Sequence, residues 1–241
     1  IKERLGYNTD VRGLLLNRCI KLEPALKKRH LIEYYLGILR GAGLEDDGTG
    51  MDLFLSSQDR DEASKWLSQI GLDKTGPIIG INPGATGGTA KRWFPQRFAQ
   101  LSRQLFTRYG RPVLIFGGPS DKELGDRIAG LAQGACLNIA GKTTLGQAFA
   151  RIERCDLFVT NDSGLMHAAA ALDIPQVAVI GSTDHIATSP ASDRASMVRV
   201  PVACSPCLKD VCPTDHECMD KISVDMVLET CQSLLTEKGY R

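Results

Sequence analysis

The stretch Phe158-Val159-Thr160-Asn161-Asp162-Ser163-Gly164-Leu165-Met166-His167 decides the prediction of the fold. It runs from an apolar segment of strand length, 157–159, through a polar turn into an Ala-rich helical segment, 165–172. In an open parallel sheet such a turn follows the carboxyl end of a strand, where ligands bind. The stretch therefore predicts both a strand–helix unit of a parallel sheet and a ligand site.

The same alternation extends over most of the chain. Further strands are predicted at 77–81, 113–116, 136–139, 177–180 and 197–202, and further helices at 94–109, 121–131, 145–152 and 223–237. Apolar strands joined by helices and short Gly-rich links are typical of a parallel sheet with helices on both faces. The predicted class is α/β, with a Rossmann-like doubly wound parallel sheet.

The first 74 residues follow a different pattern. A basic helix is predicted at 24–40, a Gly- and Asp-rich linker at 41–50 and a short helix at 59–71. We predict two parts, in which residues 1–74 are the end of another domain with a linker and residues 75–241 are the Rossmann-like domain. Because the sequence starts at Ile1 in the middle of a pattern, we also expect it to be a fragment.

Composition excludes several classes of protein. The 241 residues include 29 Lys and Arg against 28 Asp and Glu, a net charge of +1, so charge gives no reason to expect a nucleic acid partner. No apolar run is long enough to span a bilayer, and no signal peptide opens the sequence. We therefore expect a cytoplasmic protein with reduced thiols.

The loop after the first strand of the predicted sheet is rich in glycine. It reads Asn82-Pro83-Gly84-Ala85-Thr86-Gly87-Gly88-Thr89-Ala90-Lys91-Arg92-Trp93. Glycines let backbone N–H groups approach an anion, and Lys91 adds a charge, so phosphate is the predicted ligand. The alternative is a flexible loop with a solvated lysine. The loop is neither a dinucleotide fingerprint nor a P-loop, and the near match at Gly141-Lys142-Thr143 lacks the required earlier glycine.

The turn at 161–167 adds further donors. Ser163 or Asp162 is predicted to cap the helix, whose first N–H groups and dipole favour a diphosphate. Asp162 would repel phosphate, so we expect it to contact the hydroxyls of a sugar, and His167 lies within reach of a phosphate. The alternatives are an ordinary N-cap for Asp162 and a packed helix histidine for His167.

Several motifs together resemble glycosyltransferase family 9, the lipopolysaccharide heptosyltransferases. They are Asn82-Pro83-Gly84-Ala85, Ala90-Lys91-Arg92-Trp93, Phe116-Gly117-Gly118, Asn138-Ile139-Ala140-Gly141-Lys142-Thr143 and the stretch from Thr160 to Ala170. The resemblance implies the C-terminal, donor-binding half of a GT-B glycosyltransferase, with residues 1–74 ending the acceptor domain. It implies an inverting transfer of heptose from ADP-heptose to the inner core of lipid A, with no metal required.

The resemblance also implies roles for single residues. Those expected to bind the donor are Thr86, Gly87 and Lys91 at the diphosphate, Lys142 and Thr143 by the adenine, Asp162 at the heptose, and Ser163, Gly164 and His167 at the phosphates. Lys91 and Asp162 are the predicted catalytic residues, and Asp121 is the nearest candidate for the ribose hydroxyls. The family's proposed general base belongs to the acceptor domain, so we expect this chain to stabilise the leaving group without supplying the base.

Four of the eight cysteines are clustered. Cys204, Cys207, Cys212 and Cys218 fall close together, with His216 among them. The spacing fits a structural zinc ion or a cluster, while disulfides and free thiols are the alternatives.

Two other functions stay open at this point. One is a GT-B enzyme that uses a different nucleotide sugar, and the other is a non-catalytic module that binds nucleotide sugars. Any contact with the inner face of the cytoplasmic membrane is expected to be peripheral. The basic segment 21–29 fits either an anionic surface or a solvated helix face.

Overall fold

The computed structural model describes residues 1–48, 50–73 and 75–240. The chain separates into two compact units, one formed by Ile1–Gly50 with Asp184–Ser189 and the other by Met51–Thr183 with Pro190–Arg241. The sequence predicted a domain boundary between residues 74 and 75. Lys74 lies outside the described residues. The compact units part at Gly50 and Met51, so the helix predicted at 59–71 belongs to the larger unit. The assignment of residues 1–74 to an acceptor domain stays a prediction.

The smaller unit contains two short parallel strands and one helix. Strand β1 (Leu5–Tyr7) pairs with β2 (Arg18–Ile20), and helix α1 spans Leu31–Gly41. The single helix predicted at 24–40 is wrong, because Pro24–Lys28 is a separate 3-10 turn. Arg29 is extended, and the Nδ1 atom of His30 accepts a hydrogen bond from Ile32 N (3.1 Å) as the N-cap of α1.

The larger unit is built on six parallel strands. They are β3 (Ile79–Asn82), β4 (Val113–Ile115), β5 (Cys136–Asn138), β6 (Leu157–Asn161), β7 (Gln176–Val179) and β8 (Ala195–Val198). Their spatial order is β5-β4-β3-β6-β7-β8, which reverses direction between β3 and β6. This order confirms the predicted doubly wound sheet. Strand β8 ends earlier than predicted, because its neighbour β7 ends at Val179, opposite Val198.

Seven helices of the described chain belong to this unit. They are α2 (Ser57–Gln69), α3 (Pro95–Tyr109), α4 (Lys122–Leu131), α5 (Leu145–Glu153), α6 (Gly164–Ala171), α7 (Glu217–Asp220) and α8 (Val224–Glu237). All except the short α7 were predicted from periodicity. Thr144 forms a capping box with Gln147 at α5, and the predicted N-cap Ser223 accepts from Met226 N (3.2 Å) at α8.

The sheet is buried on both faces, as a doubly wound fold requires. In β4, Val113 and Ile115 pack in one core with the helices α3, α4 and α8. Leu114 lies in the other core, which also holds Phe116 and Phe158. Side chains of one strand therefore alternate between two apolar layers, and the strand ends are left to form a site.

None of the helices in the described ranges combines the length and the apolar character that a bilayer crossing requires.

Gly80, at the centre of the sheet, gives a test of this packing. A Cβ added there would lie 2.8 Å from Cδ2 of Phe158 and 2.9 Å from Cε2 of Phe116. We expect Gly80→Ala to lower the free energy of unfolding by about 1–3 kcal/mol, because two packed rings must move. Urea unfolding of the chain measures this change.

Gly130→Ala is the matched control. Gly130 lies in α4, and nothing in the described structure comes within 4 Å of its added Cβ. Alanine is the better helix former, so this variant should be more stable by about 0.5–1 kcal/mol. A Gly80→Ala protein as stable as the wild type would contradict the packing described here.

Candidate functional site

A cleft of about 540 Å³ opens in the larger unit, at the carboxyl ends of β3 and β6. This is the point where the strand order reverses, and open α/β sheets bind their ligands there. Three turns and the start of α5 form its walls. The lining residues are Asn82, Gly84, Ala85, Thr86, Gly87, Gly88, Arg92, Gly117, Gly118, Ser120, Asp121, Leu145, Phe149, Ser163, Gly164 and Leu165.

Two buried amide side chains join the turns after β3 and β6. Oδ1 of the fully buried Asn161 accepts from Trp93 N (3.0 Å), and its Nδ2 donates to the carbonyl of Pro83 (2.8 Å). Asn82 lies opposite, and its Nδ2 donates to Oγ of Ser163 (2.7 Å). Because buried amides need all these partners, the hydrogen bonds fix the glycine loop against the start of α6.

Ser163 occupies the N-cap position of α6, but its hydroxyl makes no capping hydrogen bond. Of the two predicted caps, Ser163 and Asp162, the Ser163 side chain is therefore wrong, because Asn82 and Thr160 (3.2 Å) engage its hydroxyl instead. A Cβ added to the exposed Gly164 would have no described heavy atom within 4 Å. The first turn of α6 thus lines the cleft without a capping hydrogen bond from Ser163.

The glycine loop curves around the other side of the cleft. Gly87 (φ +88°) and Gly88 (φ +113°) adopt left-handed backbone conformations that other residues rarely take. A side chain on Gly88 would collide with the carbonyl oxygen of Asp210, which also accepts from Ala90 N (3.0 Å). Thr86 and Gly87 are exposed and line the cleft, and their predicted role in binding an anion stays a prediction.

Asp121 brings a carboxylate into the cleft. Its Oδ2 accepts from Gly118 N (3.0 Å) in the turn after β4. A Cβ added to Gly84 would lie 2.5 Å from its Oδ1, so the close approach of these two turns requires glycine. The cleft therefore holds an oriented acceptor beside the glycine loop.

The structure brings five of the predicted site residues to the cleft and leaves five outside its lining. Those that line it are Thr86, Gly87, Asp121, Ser163 and Gly164. Of the others, Lys91, Thr143 and His167 are half-buried, and Asp162 is only 5% exposed. Lys142 is exposed, and its Nζ donates to the carbonyl of Asn138 (2.8 Å) at the end of β5. The roles of these residues stay predictions.

Sequence reasoning gave no role to several side chains that line the cleft, among them those of Arg92, Leu145 and Phe149. Arg92 donates through Nη2 to the carbonyl of Ala85 (3.2 Å), while its buried Nε has no partner in the described chain. Leu145 is 66% exposed, and Phe149 follows it one turn later on α5. The i, i+4 apolar pair at the start of an amphipathic helix was the available signal for the last two. Nothing in the loop sequence distinguished Arg92 from Lys91.

The four clustered cysteines line a second, smaller cavity of about 200 Å³. All are free thiols, which excludes the disulfide alternative for this structure. Burial raises the pKa of Cys218, and the three neighbouring thiols raise it further, whereas a hydrogen bond with Thr214 lowers the pKa of Cys212. Within the described ranges no three His, Cys, Asp or Glu side chains converge closely enough to share a metal ion.

The chain is similar to known proteins over nearly its whole length. Its sequence matches the model of glycosyltransferase family 9 (heptosyltransferase) over residues 1–217. It is 36% identical over 250 residues to lipopolysaccharide heptosyltransferase 2 of Salmonella typhimurium, a match that covers 99% of this chain and 71% of the relative.

Two solved structures are similar in fold. The structure of E. coli ADP-heptose LPS heptosyltransferase II has a TM-score of 0.81 and 31% identity, over 99% of this chain and 71% of that one. A glycosyltransferase family 9 structure from Veillonella parvula has a TM-score of 0.83 and 26% identity, over 94% and 65%. The expected family resemblance is confirmed.

Asn161→Ala tests the link between the two turns. The substitution leaves the buried N–H of Trp93 and the buried carbonyl of Pro83 without their hydrogen-bond partner. We therefore expect the free energy of unfolding to fall by about 3 kcal/mol. Gln100→Ala, on the exposed face of α3, should change it by less than about 0.5 kcal/mol. Urea denaturation compares the two, and equal stabilities would show that Asn161 does not hold the turns together.

Proposed function

The chain belongs to glycosyltransferase family 9, and from this membership we propose that it is the donor-binding part of an inverting, GT-B heptosyltransferase that uses ADP-heptose. The single observation that carries the proposal is the cleft at the strand reversal, which the glycine loop and the first turn of α6 both line. E. coli ADP-heptose LPS heptosyltransferase II, whose name gives this donor, is similar over 99% of the chain.

The diphosphate of the donor is proposed to lie between the glycine loop and α6. Gly87, Gly88 and Gly164 all line the cleft, and the dipole of α6 adds positive potential at its first turn. Arg92 supplies a full charge with an unpaired Nε, and Lys91 precedes it in the same turn. His167 is proposed to contribute from one helical turn further along α6.

The nucleoside is proposed to lie along the β4 and α5 side of the cleft. Leu145 and Phe149 offer an apolar wall for a flat base, and Lys142 and Thr143 precede them in the same loop. The Asp121 carboxylate, held by Gly118 N, is oriented to accept hydrogen bonds from the ribose hydroxyls.

The transfer step follows from these placements. The acceptor hydroxyl gives its proton to the general base, which we expect in the acceptor domain, and its oxygen attacks the anomeric carbon of heptose. The bond from that carbon to the diphosphate oxygen breaks, and ADP leaves with the bonding electrons. Arg92, Lys91 and the N–H groups of α6 stabilise the charge that develops on the leaving oxygen. Asp162, at the end of β6, is proposed to contact the hydroxyls of the heptose.

The acceptor is proposed to be the inner core of lipid A, and we place the reaction at the cytoplasmic face of the inner membrane, with peripheral contact. The relatives named for lipopolysaccharide support the acceptor class.

Calorimetry with three nucleotides tests the proposed function. ADP and ADP-heptose should bind the folded chain, and a UDP-sugar should bind at least about tenfold more weakly. Preference for the UDP-sugar would support a different nucleotide-sugar transferase instead. Absence of binding by all three would contradict the donor site.

Arg92→Ala should weaken ADP binding about tenfold, because a charge-assisted hydrogen bond to phosphate is lost. The ADP affinity of Arg92→Lys should lie between those of Arg92→Ala and the wild type, because lysine keeps the charge but lacks the planar guanidinium group. Arg127→Ala, on the exposed face of α4, is the matched control and should bind like the wild type. Equal ADP affinity of all three variants would remove Arg92 from the proposed site.

A further inference from the structure

The smaller unit has a cavity of its own at the carboxyl ends of β1 and β2. The two strands run parallel, and Tyr7 lies opposite Ile20 in their last pair. Asn8 N donates to the carbonyl of Ile20 (3.2 Å), after which the chain turns away from the strands. A cavity of about 400 Å³ lies at these ends. Parallel sheets bind ligands at this edge, so the residues that follow the two strands are candidates for a binding site.

The charged side chains on the walls of this cavity are both lysines. Lys21 follows β2 directly, and Lys27 lies in the 3-10 turn Pro24–Lys28. Both are exposed, and among the described residues no Asp or Glu lines the cavity. The ion pairs in the described part of the smaller unit all involve arginines, and neither lysine takes part in one. The cavity therefore has a positive potential that favours an anion.

The surrounding sequence strengthens this potential. The first 30 residues carry eight Lys and Arg against three Asp and Glu, although the net charge of the whole chain is only +1. Positive charge is thus concentrated in the unit that holds the cavity, and it attracts anions from a distance.

Packing of the neighbouring apolar residues fixes the backbone that carries the two lysines. Leu22 follows Lys21 and Leu26 precedes Lys27, and both leucines pack against the core of the smaller unit. Pro24 begins the 3-10 turn, where its ring fixes the backbone angle φ. The backbone is therefore held in place, and a ligand has to order only the lysine side chains.

Two neutral side chains add hydrogen-bond donors to the same cavity. Asn8 and Thr9 follow β1 and line its wall. Oγ1 of Thr9 is buried and has no hydrogen-bond partner in the described structure. Buried polar atoms without partners are rare, so this hydroxyl points to a group that the cavity binds. Amide and hydroxyl donors beside two ammonium groups match the several acceptor oxygens of a phosphate or a carboxylate.

We propose that Lys21 and Lys27, together with Asn8 and Thr9, bind an oxyanion group of the sugar acceptor. Phosphate and carboxylate share the required chemistry, which is a compact negative charge on several acceptor oxygens. The diphosphate of the donor has its proposed place in the larger unit, so the acceptor is the substrate left for this cavity. The oxyanion site stands on the cavity itself, whereas its assignment to the acceptor rests on the proposed function.

Backbone NMR of the isotope-labelled chain tests the site. The chain is titrated with glucose 6-phosphate or glucuronic acid while ADP is present in excess, so that the added anion does not enter the donor cleft. The N–H signals of Asn8, Thr9, Lys21 and Lys27 should shift and saturate, and uncharged glucose should shift none of them. Shifts at these residues with either charged sugar support the site. Shifts confined to other residues, or none with both sugars, would overturn it.

A double variant, Lys21→Ala with Lys27→Ala, tests the two charges in the same titration. It should bind glucose 6-phosphate at least about tenfold more weakly, because two charge-assisted hydrogen bonds are lost. Lys28→Ala is the matched control, since Lys28 is exposed in the same 3-10 turn and does not line the cavity. It should bind like the wild type. Unchanged affinity of the double variant, or an equal loss in the control, would overturn the assignment to these two lysines.

Co-sedimentation with lipopolysaccharide that lacks heptose tests the assignment to the acceptor. The wild type and Lys28→Ala should bind its micelles, and the double variant should bind about tenfold more weakly. Vesicles of phosphatidylglycerol, which are anionic but carry no glycan, should bind all three proteins weakly and equally. If binding to the vesicles depends on Lys21 and Lys27 in the same way, the site recognises a lipid headgroup and the assignment to the acceptor is wrong.

Calorimetry with ADP separates this inference from the proposed function. ADP affinity should be the same in the wild type, the control and the double variant, because neither lysine lines the donor cleft. If ADP binds none of the three, the proposed donor site fails, and the NMR titration alone judges the oxyanion site. If ADP binds and the charged sugars do not, the oxyanion site fails and the donor site stands.

Discussion

The rest of the site depends on the buried hydrogen bonds of Asn161. The strand order of the sheet reverses between β3 and β6, which separates the turns at their ends and leaves a cleft. Asn161, at the end of β6, links the two turns, because its side chain forms hydrogen bonds with both Pro83 and Trp93 in the loop after β3. Asn82 does the same in the opposite direction through Ser163. Two backbone segments rich in N–H donors are thereby held at a fixed separation with no ligand needed to arrange them.

This constraint is the physical basis on which we propose a diphosphate as the ligand of the cleft. Donors lie on two walls, the Gly87–Gly88 turn and the start of α6, and the Asp121 carboxylate with the Leu145 and Phe149 side chains continues away from them. Along the cleft, a wall of N–H donors for an anion comes first, a carboxylate that accepts hydrogen bonds from hydroxyls comes next, and an apolar wall comes last. A nucleoside diphosphate has the same order of chemical groups along its length, which supports the proposed ligand.

The sequence predicted the sheet well because its strands are buried on both faces and its helices are amphipathic, as β6 and α3 illustrate. Strands β1 and β2 were missed because each has only one buried residue, so neither forms the apolar run that identified the equally short β4. The sequence located the turns that form the cleft, because ligands of open parallel sheets bind at the carboxyl ends of the strands. It did not identify which side chains of those turns line the cleft. Loops have no period, so nothing distinguished Arg92 from Lys91. The Ser163 hydroxyl bonds a strand distant in sequence, which local capping rules do not anticipate.

Hydrogen–deuterium exchange of the chain with and without ADP tests the central claim most directly, because it reads backbone N–H groups. Binding between the two turns predicts slower exchange at Thr86–Gly88 and at Ser163–Leu165, with little change at the opposite ends of the strands. Another cavity, of about 580 Å³, lies there and is lined in part by Glu153, Asp156 and Arg194. Protection confined to that cavity, with the two turns unchanged, would contradict a donor site at the strand reversal.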